Sequence, residues 1–302
     1  MAQASTDPRD AGSIPWNWNG RPITLGLTRA GSGPTALLLP ALSSISTRAE
    51  MAPLAARLGT RFSTVAVDWP GFGAGPKPAA AWEPAALRAY LGFLLDEVAP
   101  EAALVVAAGH AAGYVLAHAA ARPVPDRRLA LVAPTWRGPL PTMLGRRPPW
   151  LGRIARAADL PVLGAALYRL NVNPPMVRFM ARAHVFSDPA WLTPARAAEK
   201  RAVTGAPGAR HAAVRFVAGE LDPFASRAAF LAAAAALREP ALVVYGAEAP
   251  PKSRAEMEAL AAVPGIAAVV LPRGKLSLHE EFPDAVAEAV LGFCGLGDGA
   301  AT

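Results

Sequence analysis

The sequence predicts an α/β fold: a mostly parallel sheet with helices on both faces and an inserted helical cap. Three observations carry this. Short apolar runs alternate with helical patterns along most of the 302 residues. A turn of small residues, Gly109-His110-Ala111-Ala112-Gly113, joins one such run to a helix. The alternation lapses for about eighty residues after Pro134, in a stretch rich in Pro, Arg and Trp, and then resumes.

The elements follow in order. Trp16 to Arg29 reads as an opening hairpin, and Thr35 to Leu39 as a buried strand beyond the turn Ala30-Gly-Ser-Gly-Pro. Arg48 to Leu58 is a helix, with Thr47 and Glu50 at capping-box spacing and Gly59 as its stop. Phe62 to Asp68 is a strand, and Pro84 to Val98 a helix with proline at its first position. Leu104 to Ala107 and Arg128 to Ala133 are strands flanking the helix that follows the small-residue turn. After the lapse come a helix capped by Asp222, the strand Ala241 to Tyr245, and a helix capped by Ser253-Arg-Ala-Glu256. The strand Ile266 to Leu271 and the helix Pro283 to Phe293 close the chain.

Composition narrows the function classes. The chain is 53% hydrophobic and 18% charged, too apolar for disorder. Its lone cysteine, Cys294, excludes an internal disulfide and a cysteine-based zinc cluster, and fits a reducing compartment. Met1 to Asn19 carries no apolar run of the kind a signal peptide needs, and a membrane span is not expected. A cytoplasmic location follows as the expectation, with peripheral attachment to the inner face of a membrane as an extension of it.

The net charge of +7 is unevenly placed. Residues 137–215 hold 13 Lys/Arg against 3 Asp/Glu, whereas the remainder holds 17 against 20. Within that segment, Arg146, Arg147, Trp150, Arg153 and Arg156 mix arginine with apolar groups. Such a mixture suits an anionic bilayer or a protein partner, or else an ordinary cap helix with its arginines in water. Nucleic acid is not expected: no recognition motif is present, and the segment is too rich in Pro and Leu for a phosphate-tracking face.

The order of elements and three motifs resemble the α/β-hydrolase superfamily over nearly the whole chain. Asp68-Trp-Pro-Gly-Phe-Gly73 is similar to its D-x-P-G-x-G loop, and Gly109 to Gly113 to its G-x-S-x-G nucleophile elbow. Gly274 to Pro283 is similar to the segment that delivers its catalytic histidine. The resemblance implies a core at residues 1–136 and 216–302, with a helical cap at 137–215. It places the nucleophile at Ala111, the acid at Ala249 with Glu248 beside it, and the histidine at Leu276. None of these three side chains can do the work, because a serine nucleophile needs a base and the base needs an orienting partner.

What survives is polar backbone and scattered side chains. The N–H groups of Leu42 and Ala112 are the candidates for a backbone oxyanion cradle. His110 reads either as a packing residue of the turn or as a ligand contact. His279 is either a substitute base or a surface residue ahead of Glu280-Glu281. Ser43 and Ser44, with Lys275 as base, are displaced-nucleophile candidates, although such serines, like Ser46, more often fill loops. Tyr114 and Trp136 complete the expected pocket wall. No cofactor and no metal is implied.

The residues leave two functions open. One is a non-hydrolytic member that binds a hydrophobic molecule (a lipid, isoprenoid or pigment) or acts as a scaffold or regulator. The other is an esterase, lyase or cyclase acting on a hydrophobic substrate with non-standard catalytic residues.

Overall fold

A computed structural model describes residues 11–75 and 77–297. The first ten residues, half of the segment read for a signal peptide, therefore lie outside the described part. The strands are β1 (Ala11–Trp18), β2 (Arg21–Ala30), β3 (Thr35–Leu39), β4 (Ser63–Val67), β5 (Leu104–Ala108), β6 (Arg128–Val132), β7 (Ala241–Gly246) and β8 (Ile266–Leu271). They form one sheet in the order β1-β2-β4-β3-β5-β6-β7-β8. β1, β2 and β4 pair antiparallel, and from β4 to β8 every neighbouring pair is parallel.

Alternation along the strands builds two cores. Leu37, Leu39, Val105, Ala107, Leu129, Leu131 and Val243 belong to one, while Leu38, Val106, Ala130, Val132 and Val244 belong to the other. Successive side chains point to opposite faces of a strand, so near-continuous apolar runs are what a sheet covered on both sides requires.

The helices are α1 (Ala52–Leu58), α2 (Pro84–Phe93), α3 (His110–Ala121), α4 (Pro139–Leu144), α5 (Trp150–Ala157), α6 (Leu163–Asn171), α7 (Pro174–Met180), α8 (Pro194–Gly205), α9 (Ala209–Val217), α10 (Arg227–Ala235), α11 (Pro251–Ala261), α12 (Leu278–Glu281) and α13 (Pro283–Phe293). α2, α3, α10 and α11 bury residues in the first core, and α1 and α13 in the second. Between β6 and α10 lie only helices, α4 to α9, and this helical stretch is tied to the rest of the chain at named points. Lys200 Nζ lies 2.9 Å from Glu280 Oε1, and the N–H groups of Ser187 and Asp188 donate to Glu281. The Leu276 and Ser277 N–H groups donate to His184 and Val185 carbonyls. Among the described residues no helix is long and apolar enough to cross a membrane.

Three expected caps are differently made. Thr47 accepts from the Ala49 N–H, but Glu50 does not return to Thr47; it turns into the interior. The helix after Asp222 begins at Arg227 and is capped by Ser226, and Asp222 accepts from Gly138 N–H instead. The helix expected to start at Ser253 starts at Pro251, where proline already supplies the first-turn geometry. In each case a capping residue type stood at a plausible spacing, and a tertiary partner or an earlier proline took precedence.

Candidate active site at the strand-to-helix turn

The strained residue of the elbow is Gly109. β5 ends at Ala108, α3 starts at His110, and Gly109 between them has φ 53 and ψ −124. That conformation is open to glycine and costly for a residue with a Cβ. The turn is locked on both sides: Gly109 N–H donates to Val132 O at 2.9 Å, and Gly109 O accepts from Thr135 N–H at 3.0 Å. A Cβ built on Gly109 would stand 3.1 Å from Ala41 Cβ, so a side chain here would face the loop after β3.

This corrects the register of the motif. The nucleophile of such an elbow occupies the strained strand-to-helix turn, which is Gly109, and Ala111 is already the second residue of α3. Residues 107 to 113 are small at every position except His110, so two frames fit the letters equally well. The positive φ decides between them. Gly109 has no side chain, and Ala111 carries a methyl group.

His110 thereby becomes the residue directly after the turn. Its Nε2 lies 3.0 Å from Leu221 O, and a carbonyl oxygen can only accept, so Nε2 carries the proton. Nδ1 then presents a lone pair that is buried and without a partner. Tyr114 O–H donates to the same carbonyl at 2.7 Å, and Phe216 of α9 stands edge-on to the imidazole with ring centroids 5.2 Å apart.

Asp222 Oδ1 lies 3.6 Å from His110 Nε2. Burial drives the His110 pKa down to about 4, against the pull of the Leu221 carbonyl. Burial also drives Asp222 up to about 7, against the Gly138 N–H and the charges of Arg147 and Arg137. Near pH 6 the imidazole is neutral and the carboxyl protonated, so the contact is not an ion pair despite its length. Splitting the pKa values of neighbouring groups is how a site separates base from acid.

The remaining expected positions are quiet. Ala249 is buried, and Leu276 packs partly buried against the first core. Glu248 is an exposed loop carboxylate that accepts from Gly274 N–H at 3.2 Å. Ala112 N–H is used inside the turn, donating to Gly109 O at 3.3 Å, and Ala41 N–H is taken by Glu50 at 2.8 Å. Leu42 and Ala112 are both buried in the first core.

Ser43 and Ser44 are half-buried, and Ser43 Oγ accepts from Ile45 N–H. Lys275 is turned away to the Arg182 carbonyl, so the expected serine–lysine pair is not assembled. Trp136 stacks on Phe230 with centroids 5.8 Å apart and donates to Glu256. Arg147 pairs with Glu220 at 3.1 Å, while Arg146, Trp150, Arg153 and Arg156 are exposed.

His279 is not a surface residue. It is fully buried with Nε2 3.1 Å from Glu50 Oε1, and that same oxygen accepts the Ala41 N–H. Glu50 was visible in the sequence only as a cap. Burial pushes its carboxyl up, but the hydrogen bond and charge of His279, with Lys200 behind them, hold it below the ordinary range.

A family model described as the alpha/beta hydrolase family matches residues 36–289. The chain belongs to that family. Solved structures of hydrolases share the fold at low identity. A hydrolase from Pseudomonas aeruginosa is 22% identical with a TM-score of 0.68, over 96% of this chain and 100% of its own. A thermophilic esterase from Thermogutta terrifontis is 19% identical with a TM-score of 0.69, over 94% of this chain and 98% of its own. An enol-lactonase from Burkholderia xenovorans is 21% identical with a TM-score of 0.68, over 90% and 96%. No curated protein sequence matches the chain.

At the turn of this hydrolase-family chain, Leu42, His110, Ala111, Ala112, Tyr114 and Trp136 are all buried. Two open grooves lie elsewhere. One of about 680 Å³ is lined by α1 and α13, including Arg57 and Asp284, and one of about 350 Å³ lies at the end of α3 beside His118 and Arg122. Neither is lined by a residue of the turn.

Proposed function

We propose that this chain is an α/β-hydrolase-family enzyme that acts on an uncharged, hydrophobic substrate without a covalent intermediate. The observation that carries the reading is His110: a neutral imidazole with one buried, unpartnered nitrogen, fixed directly after the strained turn and beside a carboxyl of raised pKa. Perturbed titratable groups at the carboxyl end of a parallel sheet are where acid–base chemistry is built. In this reading His110 Nδ1 takes a proton from water or substrate, and Asp222 supplies one to the departing or developing oxygen. Access opens by movement of α9, whose Phe216 covers the imidazole. The walls are Leu, Phe, Trp and Ala, so a neutral apolar molecule fits them better than an ion.

The second reading is capture of a hydrophobic molecule without turnover, favoured by the absence of any side chain on Gly109. A panel of neutral esters, lactones and epoxides separates the two. Turnover of at least one class is expected, abolished in His110→Gln, without labelling by fluorophosphonate. Its rate should peak between about pH 4, where His110 loses its proton, and about pH 7, where Asp222 loses its own. No turnover across the panel, or turnover that His110→Gln leaves intact, would leave binding as the function.

A further inference from the structure

We infer that the outer face of the insertion docks on an anionic lipid surface. Among the described residues, ten of the thirteen exposed large hydrophobic side chains fall between residues 143 and 179. Val162 is 82% exposed, Leu170 70% and Phe179 64%, values that leave most of each side chain in water. α5 shows how the face is made: Leu151 and Ala155 point inward, while Trp150 and Ile154, a helical turn apart, point out.

The same stretch is basic. Residues 143–182 contain seven arginines and one acid, Asp159. That acid is already taken by Arg215, and by His211 at 2.7 Å. Arg146, Arg153, Arg156 and Arg178 are exposed among the apolar groups.

Charge and shape choose the occupant. A second copy of the chain would bring this positive surface against itself. A protein partner would need one surface both acidic and apolar, matched to groups scattered over α5, α6, α7 and the turns between them. A bilayer with anionic headgroups meets both needs without any such match: acyl chains accept Val162, Leu170 and Phe179, and phosphates accept the arginines. Trp150 fits the boundary between them. This inference stands on surface residues alone and is independent of the chemistry assigned to His110.

The test is co-sedimentation with phosphatidylcholine vesicles and with vesicles containing phosphatidylglycerol. Binding is expected only to the anionic vesicles, weakening in high salt as screening shortens to a few ångströms. An arginine at such a surface contributes about fivefold in affinity, the equivalent of about 1 kcal/mol. Arg146→Gln, Arg153→Gln, Arg156→Gln and Arg178→Gln together should therefore weaken binding by at least about tenfold. Val162→Ser, Leu170→Ser and Phe179→Ser together should do the same, with the thermal midpoint unchanged in both sets because all seven side chains are exposed. Equal binding to both vesicle types, no binding to either, or binding indifferent to both sets of changes would overturn the inference. So would a concentration-dependent dimer that both sets abolish while vesicles are ignored.

Discussion

His279 Nε2 lies 3.1 Å from Glu50 Oε1 in the interior, joining the last helices of the chain to the turn after β3. The same carboxylate oxygen holds the Ala41 N–H, and Lys200 from the insertion sits on neighbouring Glu280. A buried group left without its partner costs far more than the pair itself contributes. Glu50→Ala, which strands both His279 and the Ala41 N–H, should lower stability by about 3 kcal/mol. Glu50→Gln, which keeps an acceptor oxygen, should cost less. Urea midpoints of Glu50→Ala, His279→Ala and the double variant give the check, and the double variant should be little worse than Glu50→Ala alone. Fully additive losses would mean that the two side chains act separately.

The register of the elbow has its own test. Ala111→Ser should gain no fluorophosphonate labelling, and Gly109→Ser should gain none either, because Leu276 offers no base to either hydroxyl. Gly109→Ser also carries the strain of a Cβ at φ 53 and a contact 3.1 Å from Ala41 Cβ. Adding Leu276→His and Ala249→Asp to each serine separates the two frames. Fluorophosphonate labelling is expected only with serine at 109. Labelling at 111 in the other triple variant would restore the frame read from the letters.

Much of the fold was legible because short apolar runs and glycine stops are local signals. Thr35 to Leu39 and Ile266 to Leu271 fall on the expected residues, as does the helix Pro283 to Phe293. The site was less legible for a physical reason. Small residues at 107 to 113 carry no pattern, and only the backbone angle of Gly109 distinguishes one frame from the other. Glu50 and Asp222 were misjudged alike: each stands at a helix-capping distance, but each has a partner far away in sequence, His279 and Gly138. Ser/Thr/Asp/Glu spacing records what a side chain is able to cap, and burial decides what it does instead.

The two groups at the turn pull stability in opposite directions with pH. His110 is lowered from 6.5 to about 4, so the stability it confers is full above 6.5 and is lost as pH falls through 4. Asp222 is raised from 3.8 to about 7, so its contribution is full below 3.8 and is lost as pH rises through 7. Each is worth about 3 to 4 kcal/mol at most, given shifts of this size. His110→Gln should flatten the acid side of the stability profile between about pH 6.5 and 4 and leave the other limb. Asp222→Asn, whose remaining carbonyl oxygen can still accept the Gly138 N–H, should flatten the limb between about pH 4 and 7 and gain on the native chain at pH 8. Urea denaturation at a series of pH values reads both. If Asp222→Asn were instead destabilising by the same amount at every pH, the carboxyl would be ionised in the folded chain, and Asp222 would have no proton to give.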